Sequence, residues 1–250
     1  MENYLLEICC GSAADAVEAA AAGADRVELC SALLLGGLTP SIGELEIAKA
    51  QGVRVMALLR PREGGFCYSD TEFETMERDA RLLLAHGADG LVFGVLHPDG
   101  TVDEERCRRL SAIAGERECV FHRAIDVVPD WRAAFEILFR LGFRRVLTSG
   151  RQPSASEGAD TIRAMREYAA GRLEILPGGG VKLHNAAGLL RKTGCRQLHA
   201  SLKKTVRDPS AGGNPAVRFG SAPPPDEESY GAADRAQISA LRALLDGEGR

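Results

Sequence analysis

The chain has 250 residues, 45% of them hydrophobic and 26% charged, with a formal net charge of −4. That balance suits a soluble globular protein with a sizeable core, and it excludes a general electrostatic pull toward nucleic acid or an anionic membrane. The opening Met1-Glu2-Asn3-Tyr4 lacks the positive n-region of a signal peptide, and the most apolar stretch, Leu82 to Leu96, is cut by His86-Gly87-Ala88-Asp89-Gly90 and is too broken to span a bilayer.

An opening strand, Tyr4–Cys9, is followed by Ser12 as the cap of an Ala-rich helix. A repeated junction then sets the rhythm: a helical pattern, a glycine and a short strand. It falls at Gly23, Gly52, Gly87, Gly115, Gly142, Gly171 and Gly194, each about one βα unit from the next. Ser69-Asp70-Thr71-Glu72 reads as a capping box for the helix before Gly87, and Asp130 caps "WRAAFEILFRLG". Seven junctions and the opening strand make eight strands. Strict alternation predicts a parallel sheet, and eight units in this length predict one α/β domain, a (β/α)₈ TIM barrel over 1–250. After the eighth strand, residues 203–231 are rich in Pro, Gly and Ser and are expected to form a long irregular loop before the last helix, "ADRAQISALRALLDG".

Such barrels work at the C-terminal ends of their strands. Strands one and two end in Glu7-x-Cys9 and Glu28-x-Cys30, and residues i and i+2 share a face. The carboxylates are thus expected inside the barrel with the thiols nearer its rim. A buried carboxylate needs a partner, and Arg60 on strand three is the natural one for Glu28. Cys9 and Cys30 admit three roles: small core residues, ligands for a soft metal such as Cu(I) or Zn(II), or a reactive thiol. Seven scattered cysteines, an odd number with no Cys-x-x-Cys, fit a reducing cytosol. Strand five supplies His122, Arg123 and Asp126, with His122 either a hydrogen-bonded core histidine or an acid–base group. The Gly178-Gly179-Gly180 turn after strand seven either serves geometry or offers N–H groups to an anion, and His199, Ser201, Lys203 and Lys204 follow strand eight.

Taken together, "GADRVELCSALLLGGLTPS", "LLRPREGGFCYSD", "GADGLVFGVLHPDG", "VFHRAID", "VLTSGRQPSASEG", "LPGGGVKLHN" and "LHAS" run in order over about residues 5–202 and resemble the CutC family of copper homeostasis proteins. The resemblance implies a (β/α)₈ fold, a cytoplasmic location, a homo-oligomer (most simply a homodimer) and Cu(I) held by Cys9 and Cys30. Two departures stand out. Leu35 occupies a place before Gly36-Gly37 where the family often has Glu, and Cys10 is an extra thiol that leaves open which sulfur would be the ligand. Two readings follow, neither with a nucleic-acid or membrane partner. One is a cytosolic Cu(I)-binding protein. The other is a barrel enzyme for a small anionic or phosphorylated metabolite. There Gly178, Gly179, Gly180, His199 and Ser201 hold the anion, Arg60 and Arg123 orient it, and His122, Glu28 and Asp126 serve the chemistry.

Overall fold

A computed structural model describes residues 4–214, 216–219 and 227–249. Eight βα units run in order: β1 (Leu5–Cys10), α1 (Ala13–Ala21), β2 (Arg26–Leu29), α2 (Ile42–Lys49), β3 (Arg54–Leu58), α3 (Asp70–Ala85), β4 (Gly90–Phe93) and α4 (Glu104–Ala114). They continue as β5 (Glu118–Phe121), α5 (Trp131–Arg140), β6 (Arg145–Thr148), α6 (Ala159–Ala169), β7 (Glu174–Pro177), α7 (Leu183–Thr193) and β8 (Gln197–Ala200). A hairpin of β9 (Lys203–Arg207) and β10 (Ser229–Ala233) precedes α8 (Arg235–Glu248).

The local signals act as the sequence suggests. Ser12 accepts the Asp15 N–H, Ser69 and Glu72 form a reciprocal capping box, and Asp130 accepts the N–H groups of Arg132 and Ala133. All seven junction glycines have φ between +59° and +96°. A side chain would be strained there, which is why the period shows in the glycines.

The eight strands form one parallel sheet in the order β7-β6-β5-β4-β3-β2-β1-β8, a nearly closed barrel. β7 and β8 meet through a single parallel bridge, Gly178 to His199. Alternation along the strands sorts side chains into two layers. Leu6, Ile8, Cys10, Leu29 and Phe93 pack outward against the helices. Cys9, Cys30, Met56, Leu58, Val92 and Val120 form a smaller cluster inside the barrel. Gly90 leaves room for this packing, since a Cβ there would sit 2.5 Å from the Glu118 carbonyl.

Below that cluster, toward the N-terminal ends of the strands, lies a floor of ion pairs. Arg145, 2% exposed, pairs with Glu118 at 3.2 Å and Glu174 at 2.8 Å, and its Nε donates to Gln197 at 3.1 Å. Arg26 pairs with Glu7 and donates to Gln197 at 2.8 Å. Every charge on this floor has a partner of opposite sign.

The stretch expected to be irregular at 203–231 contains order: β9 and β10 pair antiparallel from Lys203↔Ala233 to Arg207↔Ser229. Asp15 pins this hairpin to α1, pairing with Lys203 and accepting the Ala233 N–H at 2.5 Å. Residues 215 and 220–226 of the expected loop lie outside the described residues. Among the described residues no helix is long and apolar enough to cross a membrane.

Candidate functional site at the barrel mouth

Where β1, β2 and β8 meet, register brings Glu7 beside both Arg26 and His199, and Cys9 beside Glu28. The His199 ring is held from two sides: Nδ1 lies 2.8 Å from Glu7 Oε1, and Nε2 lies 3.8 Å from Glu28 Oε2. The Cys9 thiol is within hydrogen-bond reach of both Cys30 and His199. Donor atoms of Cys9, Glu28 and His199 all lie within 4.8 Å of one another. This is the one group of three or more such residues among those described that is arranged to share a metal ion.

The electrostatics of the cluster follow from its burial. Desolvation pushes the Glu7 carboxyl up, but Arg26 and His199 outweigh it and hold Glu7 well below the usual carboxylate range. Burial opposes the charged form of His199, yet Glu28, Cys9 and Glu7 together raise the imidazole well above its ordinary value. Burial raises Glu28 as well, with His199 opposing. The hydrogen bond from the Cys9 thiol to Cys30, then burial, lifts the Cys9 thiol well above the ordinary range. Without a metal the surroundings therefore favour a proton on Cys9 and on His199 and a negative charge on Glu7, while burial opposes the charge of Glu28 that His199 favours.

Cys10 belongs elsewhere. It points into the layer between barrel and helices, and its thiol bonds the Ile8 carbonyl at 3.5 Å. The rim sulfurs are Cys9 and Cys30.

A cavity of about 180 Å³ opens above this cluster at the β7–β8 joint, lined by Cys9, His199, Arg123, Ser201 and the segment Gly179–Lys182. Larger hollows of about 620 and 580 Å³ lie against α3 and α4 and at the N-terminal face, away from the strand ends where these donors gather. Of the residues expected to hold an anion, Gly179, Gly180, His199 and Ser201 meet in the small cavity. Gly178 sits just below, where a Cβ would run 2.5 Å from Leu147.

The expected proton-transfer and orienting groups divide. Arg123 reaches the cavity. Arg60 is not the partner of Glu28: its Nη1 donates to the carbonyls of Leu35 and Gly37 at 3.0 and 2.9 Å, and its Nη2 to that of Gly64 at 2.7 Å. It clips together the loops after β2 and β3. Asp126 is occupied by Arg123 at 2.9 Å, by the Thr148 hydroxyl at 2.5 Å and by the N–H groups of Ser149 and Arg151 at 3.0 Å. It holds the β5 and β6 loops together. His122 is buried and accepts the Ala124 N–H on Nδ1 at 3.2 Å, which assigns the proton of the neutral ring to Nε2. Burial, with Arg60 adding to it, pulls its pKa down to about 3. Its Nε2, the Arg60 Nε and the Tyr68 hydroxyl are all buried without a hydrogen-bond partner among the described residues. Phe66 lies between them, its ring 4.7 Å from the His122 centroid and 5.5 Å from the Arg60 guanidinium carbon.

Two parts of the site escaped the sequence. Pairing β8 with β1, as barrel closure demands, would have set His199 opposite Glu7. Val181 and Lys182, which follow the glycine turn at the start of α7, line the cavity as fully as the glycines do.

Comparison with known proteins decides the family. The CutC family model matches residues 4–204. A CutC family protein of Treponema denticola is 52% identical over 234 residues, covering 93% of this chain and 95% of the relative. The chain belongs to the CutC family. The human relative, named copper homeostasis protein cutC homolog, is 43% identical over 243 residues, covering 97% of this chain and 89% of its own. A crystal structure of CutC from Streptococcus agalactiae superposes with a TM-score of 0.76 at 35% identity, over 79% of this chain and 98% of that one. The CutC barrel also resembles phosphoribosyl anthranilate isomerase of Thermotoga maritima, with a TM-score of 0.57 at 14% identity over 98% of this chain and 99% of that one, a likeness of fold alone.

Proposed function

We propose that this protein binds one Cu(I) ion as cargo through the thiolates of Cys9 and Cys30, with the His199 imidazole as third donor. The observation that carries the reading is the convergence of donor atoms from Cys9, His199 and Glu28 within 4.8 Å, with the Cys30 thiol beside Cys9. Protein ligands bind metals of this size at about 2.0–2.3 Å, so two donors on one ion sit at most about 4.6 Å apart, and the group needs only small shifts to close. Paired thiolates with an imidazole suit a soft cation such as Cu(I). Glu28, 3.8 Å from the histidine ring, would orient the ligand rather than bind. The relatives named for copper homeostasis support the same cargo, and seven free thiols support a reducing compartment, the cytoplasm.

Binding must displace the protons that the cluster holds on Cys9 and His199, so affinity rises with pH. The test is a Cu(I) titration against a competing chelator on reduced protein. One-to-one binding is expected in the wild type and lost in the Cys9→Ser/Cys30→Ser variant; undiminished binding in that variant overturns the reading.

A second reading, a barrel enzyme for a small anionic compound, is favoured by the cavity over Cys9 and His199, which is lined by Lys182 and by Arg123, the latter held in place by Asp126.

A further inference from the structure

We infer that the cavity at the β7–β8 joint is a binding site for the phosphate group of a small phosphomonoester. The inference deepens the second reading and needs no metal. It begins with the backbone of the turn after β7. Gly179 and Gly180 have consecutive left-handed conformations, φ +98° and +73°. The Gly178 N–H is tied to the Thr148 carbonyl at 2.9 Å. The Gly179 carbonyl accepts from the Ala155 N–H at 2.9 Å, and the Gly180 carbonyl from the Asn185 side-chain amide at 2.9 Å. With both carbonyls engaged, and the Gly179 N–H directed to the His199 carbonyl by the Gly178–His199 bridge, the N–H groups of Gly180 and Val181 are left with no hydrogen-bond partner among the described residues. All three residues line the cavity. Successive unpaired N–H groups in such a turn form an anion-binding concavity.

Arg123 is built into the same cavity. Its Nε is fixed by Asp126 at 2.9 Å and its Nη2 by the Ser149 hydroxyl at 2.6 Å, while Nη1 has no partner among the described residues. That free nitrogen and the guanidinium carbon lie 3.6 Å from where a Gly179 Cβ would stand, so the glycine lets the cation press against the turn. Lys182 is exposed, forms no ion pair among the described residues and closes the rim with the Ser201 hydroxyl. Asp126 offsets Arg123, and Glu7 and Glu28 below are engaged by Arg26 and His199, so the cavity's uncommitted charge is that of Lys182, with Arg123 adding an oriented N–H donor.

Two cationic side chains, two N–H groups and a hydroxyl match a tetrahedral dianion better than the two oxygens of a carboxylate. At about 180 Å³ the cavity is smaller than the roughly 300 Å³ at which sites for drug-sized ligands begin, which limits the body of the ligand to a few atoms lying toward Cys9 and His199.

The test follows backbone amide resonances of reduced, metal-free full-length protein during titration with inorganic phosphate, and separately with acetate, at constant ionic strength. Saturable movement of the Gly180 and Val181 signals with phosphate is expected. Arg123→Ala should weaken binding by about tenfold or more, and Lys182→Ala severalfold. Lys182 makes no interaction the fold needs, so its variant reports on binding even where the arginine variant is unstable. Movement at these amides with acetate as strong as with phosphate overturns the phosphate assignment and keeps the anionic-compound reading. No saturable response to either anion at tens of millimolar, or phosphate binding indifferent to both substitutions, overturns both.

Discussion

The two ends of the barrel interior use the same residue types and reach opposite results. On the floor, Arg145, Arg26, Glu118, Glu174, Glu7 and Gln197 satisfy one another. At the mouth, the Nε of Arg60, the Nε2 of His122 and the hydroxyl of Tyr68 are buried without hydrogen-bond partners among the described residues, and Cys9 and His199 are held in protonation states that a metal ion would have to change. Burial costs are similar at both ends, so the difference lies in whether the protein itself supplies the partner. Where it does, the group builds the fold; where it does not, an outside ligand has a place to act.

The largest effect that would sharpen this contrast is at the floor. Arg145→Met leaves Glu118, Glu174 and Gln197 without their shared cation. It should cost about 3 kcal/mol, the low end for breaking a buried pair, because both glutamates keep some access to water. Urea unfolding measures it, and a loss below about 1 kcal/mol would remove the floor's claim to a structural role. Next come the two mouth histidines, which should give metal-free stability opposite pH slopes. His122 is lowered from 6.5 to about 3 on folding, so the unfolded chain binds its proton first and stability falls as pH drops from about 6.5 toward 3. His199 is raised, so its contribution is complete below 6.5 and is lost as pH rises through its folded value. One proton sets a slope of at most about 1.4 kcal/mol per pH unit. Unfolding series across pH should show His122→Asn flattening the acid side and His199→Asn the alkaline side; the same effect from both would break the contrast. Smallest is Lys182→Ala, expected to shift stability by less than about 0.5 kcal/mol while weakening anion binding.

The barrel was legible because its period is written in glycines that need positive φ and in caps that precede each helix. That Glu7 shares a face with Cys9, and Glu28 with Cys30, was legible from alternation. Cys10 was not resolved, because the quoted motif gives the strand's residues but not which parity faces the helices. Arg60 was misassigned to Glu28 for another reason. Its long side chain reaches past its own strand to the carbonyls of Leu35, Gly37 and Gly64, and loop carbonyls leave no mark in side-chain patterning. The β9–β10 hairpin escaped because its strands lie largely exposed and lack an apolar alternation.

The barrel wall has seven laddered joints, while the eighth, between β7 and β8, rests on the Gly178–His199 bridge. A ring with one such clasp opens there first, so amide exchange through the wall should be fastest along that joint. The cavity straddles the clasp, with Gly179–Lys182 on one side and His199 and Ser201 on the other. An occupant gripping both sides adds the rungs that the backbone omits, and the whole hoop tightens through a handful of atoms at its rim.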